Sequence, residues 1–481
     1  NSEGGFKEYW DLVRKYPKFQ GGFIWDFVDQ SLRWHREDGT EFYAYGGDFN
    51  DYDPSDNNFC DNGLVSPDRR LNPHMGEVKY VYQNIWTSLK NYEYGVATVE
   101  IRNENFFIDL SGIRLYWTLL RDGKVVAKGL ESDLYCGPQQ TASVDLPVGE
   151  IGEDGEWLLN LSYELKADGK LLKHGHQVAK QQILVKGGAP AYEGLEKTVG
   201  TVILGETCIT GKDYLIAFDP KTGFISSYSV GGKQILKEGY QITPSFWRAP
   251  TDNDYGAKFD QKMAFWKNPD FKIEKVEKEA NDGTGTVRVQ YSSKGVSLIM
   301  TYRINSDGSL EITEDMDADI TLPGLFRYGL RIVMPSSFEN ICYYGRGPGE
   351  NYIDRCNSAD LGIWEQTVTE QYYPYIHPQE TGNKTDIRWM ELTDENGRGI
   401  RITATDPFSA SALHYQLETL DAGHANKQVH AADIKASDVT NLMLDKVQMG
   451  LGCVDSWGAI PREEYLLPAG HYVFTVRIDP K

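Results

Sequence analysis

The first 29 residues of this chain read as one helix feeding one buried strand, and one strand cannot make the sheet that such a strand belongs to. Phe6, Tyr9, Trp10, Leu12 and Val13 are apolar at roughly helical spacing, with Glu3 near the start and Lys15 and Lys18 near the end, where the helix dipole favours them. Pro17 marks the stop. From Gly21 to Val28 the chain is then nearly continuous in apolar residues (Phe23, Ile24, Trp25, Phe27), a run of the kind buried on both faces of a parallel sheet. Nothing ahead of the helix supplies neighbours for it, so the chain reads as the downstream part of a larger protein. A strand left open in this way favours association, with the chain's own following domain or with a second chain.

Three segments separate along the 481 residues, a length that suits two to four domains. Residues 1–84 carry the helix, the apolar run and a polar stretch from Asp48 to Asn62 with too many Asp and Asn residues for a regular element. Residues 85–187 turn to short alternating strands such as Ala97–Ile101 and Ile113–Trp117. Asp122-Gly123 and Asp168-Gly169 serve as hairpin signals, and together these describe a small antiparallel sandwich. Gly187-Gly188-Ala189-Pro190 reads as a linker. Residues 198–481 hold further strands with turns at Gly231-Gly232, Ser306-Asp307-Gly308 and Asn396-Gly397, and little helical periodicity, as expected of one large all-β domain.

Charge and composition narrow the function. Forty-nine basic against 70 acidic residues give a net charge of −21, which argues against nucleic acid or an anionic membrane as partner. No apolar run approaches the roughly 18 residues of a membrane span. The six cysteines (Cys60, Cys136, Cys208, Cys342, Cys356, Cys453) are too scattered for a disulfide framework or a zinc site. Eleven tryptophans and 29 tyrosines suit either sheet cores or the apolar faces of sugars.

Several strings recur in a fixed order along the whole chain. They are Asn1-Ser2-Glu3-Gly4-Gly5, Gly21 to Leu32, Tyr45-Gly46-Gly47-Asp48-Phe49, Phe59-Cys60-Asp61-Asn62-Gly63-Leu64-Val65 with Asp68-Arg69, Arg248 to Asp254, Gly345 to Arg355, and Asp455-Ser456-Trp457. In order and spacing they resemble the long β-galactosidases of glycoside hydrolase family 2. Arg346 and Gly349 depart from the family's Gly-x-Gly-Pro string, while Glu350-Asn351-Tyr352 is kept. The resemblance implies a mainly β fold in three parts: the C-terminal part of a (β/α)8 catalytic barrel, an immunoglobulin-like β-sandwich, and a large β-supersandwich like galactose mutarotase. It also implies that the nucleophilic glutamate lies a few residues before Asn1, and the acid/base glutamate and magnesium ligands further upstream. Retaining glycosidases need two carboxyl groups about 5–5.5 Å apart, so the chain alone is expected to be inactive.

Site residues follow from the same resemblance. Trp25, at the C-terminal end of a barrel strand where barrel active sites lie, matches the tryptophan on which the galactosyl ring packs. Read without the motif it is a core tryptophan. Phe59, through its carbonyl, and Asn62, through its side chain, match two ligands of a sodium ion whose third ligand is an upstream aspartate, so the sodium site is incomplete here. Asn62 also faces the substrate. Trp457 matches the platform for the aglycone, and Asp252-Asn253-Asp254-Tyr255-Gly256 the start of a mobile loop that closes over the site. Asp26 and Asp29 read as capping or ion-pairing residues rather than nucleophiles, and Asp48 as a hydrogen-bonding anchor. His377, His414, His424 and His430 have no metal spacing. The partners implied are a β-galactoside such as lactose, the N-terminal portion of the same enzyme and further copies in a homo-oligomer. The compartment implied is cytoplasmic, with periplasmic as the alternative. A non-catalytic carbohydrate-binding or oligomerisation module is the other function the sequence leaves open.

Overall fold

The structure is a computed structural model that describes residues 2–196, 198–281, 283–423, 428–452 and 454–481. The sequence readings that involve Asn1, His424 and Cys453 lie outside the described residues. Strands hold 43% of the chain and helices 11%, so the fold is mainly β, as expected. The chain forms two compact units. One comprises Asn1–Met75, Tyr192–Cys356 and Trp364–Lys481; the other comprises Gly76–Ala191 and Asn357–Ile363.

The second unit contains two antiparallel sheets. Ile85–Glu93, Val96–Asn103 and Thr141–Leu146 form one; Lys124–Glu131, Ile113–Arg121, Trp157–Leu165 and Gln177–Lys186 form the other. Alternation along the strands gives each sheet one apolar face. Ala97, Val99 and Ile101 from the first meet Leu115, Trp117, Leu119, Leu159 and Leu161 from the second in one core. Asp122 and Gly123 both take positive φ (50° and 78°) in the two-residue loop that pairs Arg121 with Lys124, which is what a tight hairpin requires. Asp168-Gly169 lies in the connection of the second expected hairpin, which joins Trp157–Leu165 to the antiparallel Gln177–Lys186 through a longer loop rather than a two-residue turn. Residues 166–176 connect the two strands there, and the Asp168 carboxylate is occupied within the loop by the His174 amide and Lys173 Nζ, each 2.9 Å away.

In the first unit, the helix Phe6–Lys15 forms where the spacing places it and ends before Pro17. The expected buried strand does not form. Residues 26–29 instead lie alongside 62–65 through a few parallel-type hydrogen bonds, with Asp26 N donating to Asn62 O (3.1 Å) and Asp29 N to Val65 O (2.9 Å). A buried parallel strand is hydrogen-bonded on both edges. Here residues 62–65 serve one edge, and the Phe23, Trp25 and Phe27 rings remain exposed.

The rest of this unit is built on a five-stranded sheet, Ile203–Leu204 to Lys233–Gln234, and a much larger antiparallel one. The larger sheet follows the path Thr243–Ser245, Arg327–Pro335, Val439–Gln448, Gly399–Leu413, His471–Pro480, Leu310–Ala318, Val296–Asn305, Thr284–Ser293, Lys272–Asn281. Its inner face packs Leu298, Met300, Ile312, Leu330, Leu442 and Phe474. Glu314 and Asp445 are fully buried in the same unit, and neither carboxyl has a hydrogen-bond partner. Burial pushes the Asp445 carboxyl up to about 7, against the pull of Arg327, whose Nε lies 3.7 Å away.

Two buried acidic groups organise the segment that carries Trp457. The Arg248 guanidinium, with no exposure, donates from Nε and Nη2 to both carboxylate oxygens of Asp254 (3.0 and 2.8 Å). It also donates from Nη1 to Met449 O (2.7 Å) and from Nη2 to Gly450 O (3.0 Å). Asp354 accepts from Gly452 N (3.0 Å), and its carbonyl accepts from Gly5 N (2.7 Å). A Cβ on Gly4 or Gly450 would stand 2.0 or 2.5 Å from the Asp354 carboxylate, so only glycine fits at either position. The Asp252 to Gly256 string is accordingly no open loop. It is a short helix capped by Thr251, with Asn253 and Asp254 buried.

Two predictions follow from these buried groups. Asp254→Ala leaves a guanidinium buried without its carboxylate and should destabilise the chain by about 3–5 kcal/mol in urea unfolding. Asp445 is protonated more readily folded than unfolded, where its pKa is about 3.9. Its contribution is therefore fully present below about pH 4 and is lost as pH rises through about 7. Asp445→Asn should raise stability more at pH 8 than at pH 5, with a difference of about 1–3 kcal/mol; equal effects at both pH values would contradict the assignment.

Candidate functional site

The site region is assembled from four stretches of the first unit: residues 25–30, the polar loop 48–62, the segment around Asp252 and the segment around Trp457. In the loop, Asn57–Cys60 makes one 3-10 turn. This turn directs the Phe59 ring outward and leaves its carbonyl to accept from Asn62 Nδ2 at 2.9 Å. Asn62 Oδ1 is buried and has no hydrogen-bond partner. Gly63 follows because the chain passes close to Val28 and Asp29 here: a Cβ on Gly63 would stand 2.0 Å from Asp29 N.

Phe59 links two clefts. On one side, a cleft of about 420 Å³ is lined by Trp25, Gln30, Phe49, Asp53, Phe59 and Cys60. On the other, a cleft of about 320 Å³ is lined by Phe59, Asn62, Asp252, Tyr255, His377 and Trp457. The Trp457 ring lies against Phe59 with ring centroids 5.2 Å apart and planes tilted by 34°. Trp25 and Trp457 are 72% and 74% exposed, so neither is a core tryptophan and both rings offer open faces. The structure thus gathers Phe59, Asn62 and Trp457 around one cleft and sets Trp25 across Phe59 from them.

Trp457 is held by its neighbours. Its backbone N–H donates to Asp455 Oδ1 (2.8 Å), and Ser456 Oγ donates to Asn253 Oδ1 (2.7 Å). Asn253 Nδ2 in turn donates to Leu451 O (3.1 Å), and a Cβ on Gly256 would stand 1.8 Å from Ser456 O. Asn58 Nδ2, donating to Asp252 Oδ1 at 2.8 Å, ties the polar loop to the same short helix. Asp48 accepts from Tyr45 N (2.8 Å) and pairs with His430 Nε2 (2.7 Å), while His430 Nδ1 faces Asp433 (3.2 Å).

The carboxylates near Trp25 are engaged with the frame. Asp29 is buried, accepting from Gly63 N (2.8 Å) and Asn72 Nδ2 (3.2 Å), and burial raises its pKa. Asp26 accepts from Gln30 Nε2 (2.6 Å). Sequence reasoning passed over Asp61. Its carboxyl accepts from Ser31 Oγ, its Oδ2 is buried without a partner, and it lines the Trp457 cleft. Burial first, and then the nearby Asp29 and Asp252, push its pKa up to about 7 against the Ser31 hydrogen bond. Within the string Phe59 to Asn62 nothing marks Asp61, because its burial depends on residues far away in the chain. Arg248 and Asp354, which fix the Trp457 segment, were equally hidden: their partners in that segment lie about 100 to 200 positions away.

Comparison with known proteins gives three family matches along the chain. Residues 1–87 match the family model described as glycosyl hydrolases family 2, TIM barrel domain, and residues 99–186 the one described as β-galactosidase, domain 4. Residues 210–478 match the β-galactosidase small chain model. The β-galactosidases of Priestia megaterium and Streptococcus thermophilus are 34% and 32% identical over 493 and 492 residues, covering all of this chain and 46% of theirs. The chain therefore spans about half the length of the curated relatives it matches. Among solved structures, the galactose 1-epimerase of Lactobacillus acidophilus aligns at a TM-score of 0.30 and 9% identity over 57% of this chain and 93% of that one, a likeness too slight to carry weight. With more than half of its residues matched by the small-chain model and both preceding segments by companion models, the chain belongs to the β-galactosidase small-chain family of the glycoside hydrolase family 2 enzymes.

Proposed function

We propose that this chain is the C-terminal portion of a retaining β-galactosidase that hydrolyses terminal β-D-galactosides such as lactose. Trp25 packs on the galactosyl ring, Asn62 meets its hydroxyls, and Trp457 carries the aglycone. The observation that supports this reading is the convergence on Phe59 of two exposed tryptophans from opposite ends of the chain, with an asparagine whose side-chain oxygen is unpaired lining the Trp457 cleft. A sugar has one face of C–H groups that suits an indole and hydroxyls that need polar partners. Hydrolysis with retention takes a nucleophile and an acid/base about 5–5.5 Å apart. Asp26, Asp29 and Asp61 each bond to neighbouring groups of the frame, which fits a chain whose catalytic glutamates lie in the N-terminal portion.

Phe59 O and Asn62 Oδ1 fit a sodium ion as neutral oxygen ligands once the Asn62 amide is turned to present its oxygen. The unpartnered Oδ1 is the group such an ion would satisfy. A cation there neutralises ligand oxygens and offers a further position to a sugar hydroxyl. Its carboxylate ligand, like those of magnesium, belongs to the N-terminal portion. That portion is also the partner proposed to cover Phe23 and Phe27, within a homo-oligomer. Among the described residues no helix is long and apolar enough to cross a membrane.

Two measurements test the reading. An aryl β-galactoside should show no turnover with this chain, and calorimetry should show weak lactose binding that Trp25→Ala weakens further. Turnover that survives repurification and disappears in Asp26→Asn would overturn it. In the longer enzyme, Asn62→Ala should raise the sodium concentration for half-maximal activity about tenfold or more; an unchanged sodium dependence would remove Asn62 from the cation site.

A further inference from the structure

The large sheet of the first unit begins at one edge strand, Thr243–Ser245, and ends at the other, Lys272–Asn281. The sheet does not close on itself, and a cavity of about 600 Å³ is lined by residues 243–245 from one edge and by residues 266–271 leading into the other. The volume lies within the range of small-molecule pockets.

Two half-buried aromatic rings flank the cavity, Phe224 and Phe271, and both are braced from behind by Tyr291. Its ring stacks on Phe224 with centroids 5.2 Å apart and meets Phe271 edge-on at 6.1 Å. The polar lining is ionic but balanced: Lys221, Lys267 and Arg331 stand against Asp270, Glu418 and Asp421. Arg331 holds Glu418 through two hydrogen bonds (2.6 and 2.9 Å), and Lys267 pairs with Asp421, which also accepts from Trp247 Nε1 (2.9 Å). A lining with no net charge gives no preference to an ionic ligand. Paired guanidinium, ammonium and carboxylate groups still present unused N–H donors and lone pairs, and fixed aromatic faces suit C–H surfaces.

We infer that this cavity is a second saccharide site, taking a neutral mono- or disaccharide whose ring lies against Phe271 while its hydroxyls bridge the Arg331–Glu418 and Lys267–Asp421 pairs. It is separate from the Trp25–Trp457 region and shares no lining residue with either of the clefts there.

Saturation-transfer NMR with lactose tests it. In Trp25→Ala/Trp457→Ala protein, lactose should still receive saturation, and adding either Phe271→Ala or Glu418→Gln should weaken its affinity at least about fivefold. The Glu418 side chain is 61% exposed, so its isosteric replacement leaves the fold intact and keeps the test decisive where Phe271→Ala disturbs packing. Absence of transfer in the double tryptophan variant, or transfer indifferent to both cavity substitutions, would overturn the inference. The function proposed above is read separately, from the affinity lost between wild-type and the double tryptophan variant.

Discussion

The buried guanidinium of Arg248 is the interaction on which the arrangement of the site depends. A cation with no solvent exposure is tolerable only when its charge and its donors are met. Asp254 meets the charge with both oxygens, and the carbonyls of Met449 and Gly450 take the remaining bonds. The helix turn that presents Asn253 and Asp252 is thereby fixed to the segment that ends in Trp457. Asp354 acts on the same segment from the other side, through Gly452, and reaches the amino-terminal glycines through its own carbonyl.

From this anchor the geometry passes outward through polar contacts. Asn253 holds Ser456, and Asp252 holds Asn58 of the polar loop. The loop's 3-10 turn sets Phe59 between the two exposed tryptophans. A long Asp- and Asn-rich loop therefore occupies a defined position without regular secondary structure, because its side chains bond to elements that are themselves buried. The open rings of Trp25 and Trp457 and the unpaired Asn62 oxygen are what this frame holds in place, and unsatisfied groups held by a satisfied frame are characteristic of binding sites.

Much of this was legible in the sequence wherever the cause was local. The hairpin at Asp122-Gly123 forms because both residues accept positive φ, a property of those two residues alone. The helix Phe6–Lys15 and the alternating strands of the sandwich follow from periodicity. The apolar run from Gly21 to Val28 has a strand's composition without becoming the expected buried strand, because a strand exists only through hydrogen bonds to neighbours, and residues 62–65 serve one side of it. Asp168-Gly169 carried the same hairpin signal as Asp122-Gly123, but its carboxylate is bonded inside a longer loop. The string Asp252 to Gly256 has the composition of a turn, and its conversion into a buried, capped helix depends on Arg248 and on residues 449–450.

By itself the sequence determined the mainly β character, the family, and the identity of Trp25, Phe59, Asn62 and Trp457 as residues of interest, because these rest on residue type, spacing and order. Only the tertiary structure decided that Phe59 stands between the two tryptophans, that Asp61 is a buried carboxyl in their midst, and that the edges of the large sheet leave a cavity between them. Burial and proximity arise from contacts between residues distant in the chain, and no local pattern records which distant residue will be the partner.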